Sequence, residues 1–209
     1  ILAIGIALAN VYPDLIGHGS AFLGATDALA RGLGINGRFF FSTGLAACML
    51  VGVLFPKGFR ARQRRPWLAF PLGLLSVALY TVDLGPSLAL WDTVAKACGA
   101  LLVGVTFALV ELSLLARSIE VCGYRDAVWV YVSSLILKSI AVCLLQTCPP
   151  LLQVCMAAAA PLGAAALACA AQRWPVRKAE MNQRGALISD TGTLIALWLL
   201  IAFLMAISR

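Results

Sequence analysis

Charged residues are scarce in this sequence. Aspartate, glutamate, lysine and arginine make up 12% of its 209 residues, whereas hydrophobic residues make up 62%. In a soluble domain about a quarter of the residues are charged and about half are apolar, so a soluble core of this size could not bury so much apolar surface. The composition therefore excludes an ordinary soluble protein. It predicts an all-α polytopic membrane protein in the cell membrane, with the lipid bilayer as its first partner.

Catalytic and metal-binding patterns are missing as well. The single histidine is His18, and the seven cysteines form no CxxC pair, so the ligand spacing of a zinc or iron–sulfur site is absent. A free thiol in an apolar run behaves as a small hydrophobe, and the alternative is a disulfide from Cys148 to Cys143 or Cys155. No glycine-rich phosphate loop and no Ser/His/Asp set is present. We therefore expect no cofactor and no enzymatic activity.

Apolar runs approach the length of about 20 residues that crosses the hydrocarbon of a bilayer. The predicted spans are 1–11 (the outer half of a first span), 38–55, 67–82, 93–116, 127–147, 151–171 and 190–207. Glycines favour a loop over a short amphipathic helix in the connection 12–37. We expect a six-span helical half-bundle at 1–171 with a partial first span, a basic linker at 172–188, and the first span of a second half at 189–209. Both ends look cut, so we expect a piece of a longer protein.

Basic residues predict the orientation of these spans. Loops 56–66, 117–126 and 172–188 hold eleven lysines and arginines, whereas the connections on the other side hold two, Arg31 and Arg38. Positive residues favour the cytoplasm in short loops, so the first three loops are predicted to be cytoplasmic.

Two ionisable residues, Glu111 and Lys138, lie well inside the predicted hydrocarbon region. A charge in lipid is costly, so it normally faces the interior of a bundle or a wet cavity. Their helices are predicted to be antiparallel, and side chains lean toward the N-terminus of their own helix, so a direct or water-bridged pair is feasible. The alternatives are a purely structural ion pair, or a Glu111 that reaches the inner interface alone.

Helical spacing adds neighbours to these two residues. Tyr131 and Ser134 share a side of the fifth span with Lys138, and Lys96 shares a side of the fourth span with Glu111. Small residues fill that side of the fourth span and would let a second helix approach closely: Ala100, Gly104 and Ala108. We hypothesise that Glu111, Lys138, Tyr131, Ser134 and Lys96 line a central cavity that binds a polar or anionic small molecule.

The order of spans and basic loops resembles the N-terminal half of a major-facilitator-type bundle. In that family a glycine, an acid and several basic residues mark the loop after the second span. Here Gly52, Lys57 and Arg60 fit that pattern, but Pro56 stands where the acid is expected. The resemblance implies two six-helix halves around a central cavity.

The stretch 93–147, with Glu111 between two aliphatic residues, is similar to the membrane region of LuxR-type regulators. Those proteins resemble transporters over their membrane region and end in a soluble helix-turn-helix domain. The resemblance implies a membrane-embedded small-molecule sensing region, which would contact nucleic acid only through a domain absent from this chain. The alternatives are a fragment of a major-facilitator-type secondary transporter, in which Lys138 or Glu111 serves substrate or proton coupling, and a structural membrane component without a ligand.

Overall fold

The computed structural model describes residues 1–34, 37–55, 57–58 and 65–175. Within these ranges the regular structure is entirely helical, which confirms the predicted all-α class. The helices are α1 (Leu2–His18), α2 (Leu23–Leu33), α3 (Gly37–Leu54), α4 (Ala69–Thr81), α5 (Ala89–Cys122), α6 (Tyr124–Gln146) and α7 (Pro150–Gln172). Short 3-10 turns precede α2, α4 and α5, at Ser20–Phe22, Pro66–Leu68 and Pro86–Leu88.

Four of these helices, α3, α5, α6 and α7, are long and apolar enough to cross a membrane. Helices α1 and α4 are apolar but shorter, with 17 and 13 residues. The predicted span 190–207, the linker 172–188 beyond Pro175, and most of loop 56–66 lie outside the described residues.

The connection 12–37, predicted as a loop, is largely helical. Helix α1 continues through Pro13 to His18, and α2 follows after one 3-10 turn. Phe22 and Leu29 are almost fully buried against the rest of the bundle. Glycine costs a helix about 1 kcal/mol relative to alanine, and the burial of two large apolar side chains outweighs that cost. The glycine content therefore misled the prediction.

The predicted loop 117–126 is reduced to one residue. Helix α5 runs on to Cys122 and α6 begins at Tyr124, so that Gly123 alone separates them. Gly123 has a φ of 87°, a value that glycine adopts without the strain a side chain would cause. The long α5, with 34 residues, extends about 51 Å, which is more than the ~40–45 Å of a whole bilayer.

Helix α5 is the centre of the bundle and packs against each of the other six helices described above. Its closest neighbour is α3. A Cβ atom added to Gly104 would lie 2.2 Å from the carbonyl oxygen of Phe41, and one added to Gly44 would lie 2.1 Å from that of Leu101. Two helix backbones approach this closely only where side chains are absent. The prediction that small residues on this side of α5 admit a second helix is confirmed, and that helix is α3.

Six of the helices form two triplets whose packing contacts correspond to each other. The first triplet is α1, α3 and α4, and the second is α5, α6 and α7. Helix α1 packs against α6 and α7, and α5 packs correspondingly against α3 and α4. The pairs α1–α5 and α4–α7 map onto themselves when the triplets are exchanged. Contacts of α5 with α6 and α7 have no counterparts of similar extent among the described helices. A triplet that crosses a membrane three times places the next triplet in the inverted orientation.

Candidate functional site

Glu111 is buried where α5 packs against α1. It lies in the half of α5 nearer Cys122, and only 3% of its surface is exposed. Nδ2 of Asn10 on α1 donates a hydrogen bond to Oε1 of Glu111 at 3.2 Å and another to the carbonyl oxygen of Ile6 at 2.9 Å. The bond to its own helix fixes the direction of the Asn10 amide. Glu111 is therefore a buried acid held by a neutral amide.

Lys138 forms an ion pair with Asp14, which lies in the connection predicted to be a loop. Its Nζ lies 2.7 Å from Oδ2 of Asp14 on α1. The side chains of Lys138 and Asp14 are 26% and 32% exposed. A direct Glu111–Lys138 pair, one of the two arrangements that the sequence left feasible, is therefore not formed, although Lys138 lies near enough to Glu111 for their charges to attract.

Glu111 and Lys138 each contact a residue of α1 and not each other, because α1 packs against both α5 and α6. Asn10 and Asp14 are four residues apart, so they lie on the same side of α1, one turn apart. The first reaches Glu111 and the second reaches Lys138. We call the four residues Asn10, Asp14, Glu111 and Lys138 the polar layer.

Two of the predicted site residues lie beside the polar layer. Tyr131 is close enough to Glu111 for an electrostatic interaction, and it packs on the apolar cluster around Leu114. Ser134 is fully buried, and its hydroxyl donates a hydrogen bond to the carbonyl oxygen of Tyr131 at 2.6 Å. The Ser134 hydroxyl is thus engaged by its own helix.

Lys96 does not join the polar layer. It pairs with Asp92, one turn earlier on α5, and their side chains are 8% and 12% exposed. Asp92 also accepts a hydrogen bond from the backbone N–H of Leu84 at 3.3 Å. Fifteen residues separate Lys96 from Glu111, which is about 22 Å along a helix. Lys96 therefore fixes the far end of α5, and the structure does not bring it to the polar layer.

Asn10 and Asp14 are the residues that the sequence prediction missed. Both follow the apolar run of 1–9, and their spacing of four is a signal for one helical face. That signal was hidden because a glycine-rich loop was predicted to begin at residue 12, which separated Asp14 from the span that contains Asn10. Proline is tolerated inside a membrane helix when neighbouring helices satisfy the freed backbone groups, and here α1 packs against α5, α6 and α7.

The accessible part of the polar layer lies at the Asp14–Lys138 pair. A crevice between α1, α5 and α7 is too narrow to admit a water molecule; it is lined by Ala9, Tyr12, Thr106, Phe107, Val110, Pro161 and Ala164. Val110 immediately precedes Glu111, and Glu111 itself is only 3% exposed, so this part of the interior is closely packed. A molecule that reached the polar layer in this conformation would meet Lys138 and Asp14, between α1 and α6.

Away from the polar layer, side-chain hydrogen bonds hold the end of α7 against α5. Arg117 on α5 donates hydrogen bonds to carbonyl oxygens at the end of α7, at 2.8 Å for Ala171 and 3.0 Å for Gln172. Cys148 forms no disulfide with Cys143 or with Cys155. A comparison with protein families, with curated proteins and with solved structures finds no match, so the geometry of the polar layer is the basis for a functional proposal.

Proposed function

We propose that this chain is the membrane-embedded small-molecule sensing region of a membrane-bound LuxR-type transcriptional regulator. One observation carries the small-molecule part of this proposal: the Asp14–Lys138 pair keeps about a quarter to a third of its side-chain surface exposed. Lys138 lies fourteen residues from the start of α6 and eight from its end, or about 21 Å and 12 Å along the axis. Lipid offers no polar partner at such a depth, so the exposed charges call for a wet cavity or a ligand.

The sensing mechanism would be a shift between two packings of the bundle. A ligand changes such an equilibrium only by as much as it binds one state better than the other. Contact with the Asp14–Lys138 pair would alter how α1 packs on α6, and through Asn10 and Glu111 how it packs on α5. The output would pass to the cytoplasmic side, which we propose includes 56–66, 117–126 and 172–188. The LuxR assignment depends on the sequence resemblance alone.

A second candidate function is that of a secondary-transporter fragment. The observation that favours it is the pairing of two helix triplets described above, because inverted three-helix repeats are common in transporters. In that case Lys138 or Glu111 would couple the movement of a substrate or a proton to the bundle. The two functions share the polar layer and differ in whether the ligand crosses the membrane.

Accessibility of the Asp14 position to water tests the shared part of the proposal. The seven cysteines are replaced by alanine, Asp14→Cys is introduced, and its reaction with a charged methanethiosulfonate is measured in membrane vesicles. We expect a reaction at least tenfold faster than at Ile140→Cys, an apolar α6 position that is 55% exposed and faces away from Lys138. Equal rates at the two positions would show that no aqueous cavity reaches the pair.

The sign of the charge sharpens this measurement. Removing the Asp14 carboxylate leaves the Lys138 ammonium beside the new thiol, so the anionic sulfonate reagent should react faster than the cationic ammonium reagent. Adding Lys138→Met should abolish that preference, because the attracting charge is then gone. Uptake of a bound compound into proteoliposomes separates the two functions: accumulation above protein-free liposomes indicates a transporter, and binding without accumulation indicates a sensor.

A further inference from the structure

We infer that the ligand of the polar layer is a zwitterion, a small molecule with one carboxylate and one ammonium group. This inference depends on the proposed small-molecule site. The reason is that two opposite charges are accessible, the amine of Lys138 and the carboxylate of Asp14. Nζ of Lys138 lies 2.7 Å from Oδ2 of Asp14. Glu111, with 3% of its surface exposed, is not available to a ligand in this conformation.

A ligand with a single charge would leave the site with an excess charge. A simple carboxylate that binds Lys138 beside Asp14 sets two anions against one ammonium, and a simple amine that binds Asp14 beside Lys138 sets two cations against one carboxylate. An unpaired charge in a largely buried setting is strongly unfavourable, more so than the loss of the pair as a whole. A zwitterion replaces both partners at once, since its carboxylate accepts from Nζ of Lys138 and its ammonium donates to Asp14.

The surroundings of the pair favour an apolar remainder of the ligand. Ala141 and Leu145 follow Lys138 at three and seven residues, so they lie on the same side of α6, and both pack on the apolar core cluster to which α1 contributes Val11 and Leu15. Val142 and Ala158 belong to the same set of partly buried apolar residues. Amino acids with an aliphatic or aromatic side chain therefore fit the chemistry of this side better than polar ones.

Matched single-charge compounds test the inference on the purified chain in detergent. Leucine is compared with 4-methylpentanoate, which lacks the ammonium, and with 3-methylbutylamine, which lacks the carboxylate. Phenylalanine is compared in the same way with 3-phenylpropanoate and 2-phenylethylamine. Binding is measured by titration of the melting temperature and of the intrinsic tryptophan fluorescence. We expect at least one amino acid to bind tenfold more tightly than both of its counterparts, which corresponds to 1.4 kcal/mol.

Two double variants give the structural control. Asp14→Asn with Lys138→Met removes both charges together, so no unpaired charge remains and the fold should survive. It should lose the tenfold preference for the amino acid. Asp92→Asn with Lys96→Met removes the buried pair at the far end of α5 and should keep that preference. If the first double variant does not fold, the wild-type comparison of the three compounds in each set still decides.

Each other outcome overturns the inference. A carboxylate that binds as tightly as its amino acid, and that Lys138→Met weakens, would show an anion site and leave the proposed function standing. Equal binding to the wild type and to the Asp14/Lys138 double variant would place the ligand elsewhere. Absence of binding by all six compounds would refute an apolar amino acid as the ligand, whereas the water accessibility of Asp14→Cys decides the proposed function separately.

Discussion

Adding one methyl group at Gly104 tests the closest contact of the bundle. In Gly104→Ala the new Cβ would lie 2.2 Å from the carbonyl oxygen of Phe41 and 2.8 Å from the backbone nitrogen of Leu45. Both atoms belong to the backbone of α3, so neither can rotate away as a side chain would. Carbon contacts are comfortable at about 3.5–4 Å, and α3 would therefore have to move outward by about 1 Å or more.

The expected loss of stability comes from two opposing effects. Overpacking of a closely packed contact typically costs about 1–3 kcal/mol. Alanine in place of glycine inside a helix returns up to about 1 kcal/mol. We expect a net decrease of about 1–2 kcal/mol in the free energy of unfolding, measured by reversible titration with SDS in mixed micelles.

A matched substitution shows whether the effect is due to the contact. Gly17 in α1 has no atom within 4 Å of an added Cβ, so Gly17→Ala should leave stability unchanged or raise it. If Gly104→Ala is as stable as Gly17→Ala, the backbones of α3 and α5 do not approach as described. A larger loss at Gly104 that disappears when Gly44→Ala is already present would show that both substitutions act through one crossing.

The remaining predictions concern polar contacts that hold the helices together. Asn10→Leu removes the amide that donates to Glu111, so the free energy of unfolding in SDS should fall by about 1–3 kcal/mol. Adding Glu111→Leu should restore most of this loss, and an equally unstable double variant would contradict the prediction. Gln153 is fully buried and its amide joins the end of α6 to the turn before α2. Gln153→Leu should therefore raise the rate of amide hydrogen exchange in residues 19–22 at least several-fold. An unchanged rate would show that Gln153 does not hold this turn. Arg117→Lys loses the fork of donors at the end of α7 and should speed tryptic cleavage just beyond α7 by roughly tenfold.

Composition alone located two of the spans, α3 and α7, to within one residue. The predicted spans 38–55 and 151–171 differ from α3 and α7 by one residue at each end. Glycine, proline or basic residues border both runs, so the change of composition coincides with the end of the helix. The ends of α5 and α6 could not be found in this way, because a helix that continues beyond the hydrocarbon becomes polar without a breaking residue. Arg117 and Glu120, an i,i+3 pair within α5, were read as loop for that reason.

The sequence identified Glu111 and Lys138 as candidate site residues, but it did not predict which residues they contact. Glu111 and Lys138 stood out because ionisable residues are rare inside apolar runs, and the structure brings both to α1. Their partners, Asn10 and Asp14, depend on which helix packs between α5 and α6. That choice is made by tertiary packing, such as the close fit of Gly5 against Leu114, and no local pattern in the sequence encodes it.

Because α5 is long, a small tilt at one of its ends produces a large displacement at the other. From Asp92, held by Lys96 and by the backbone of Leu84, to Arg117 the axis covers about 37 Å. A tilt of about 5° about the fixed end displaces the far end by about 3 Å, which is enough to pull a guanidinium out of hydrogen-bonding range of its acceptors. A small change in the tilt of α5 would thus have its largest effect on the hydrogen bonds of Arg117 at the end of α7.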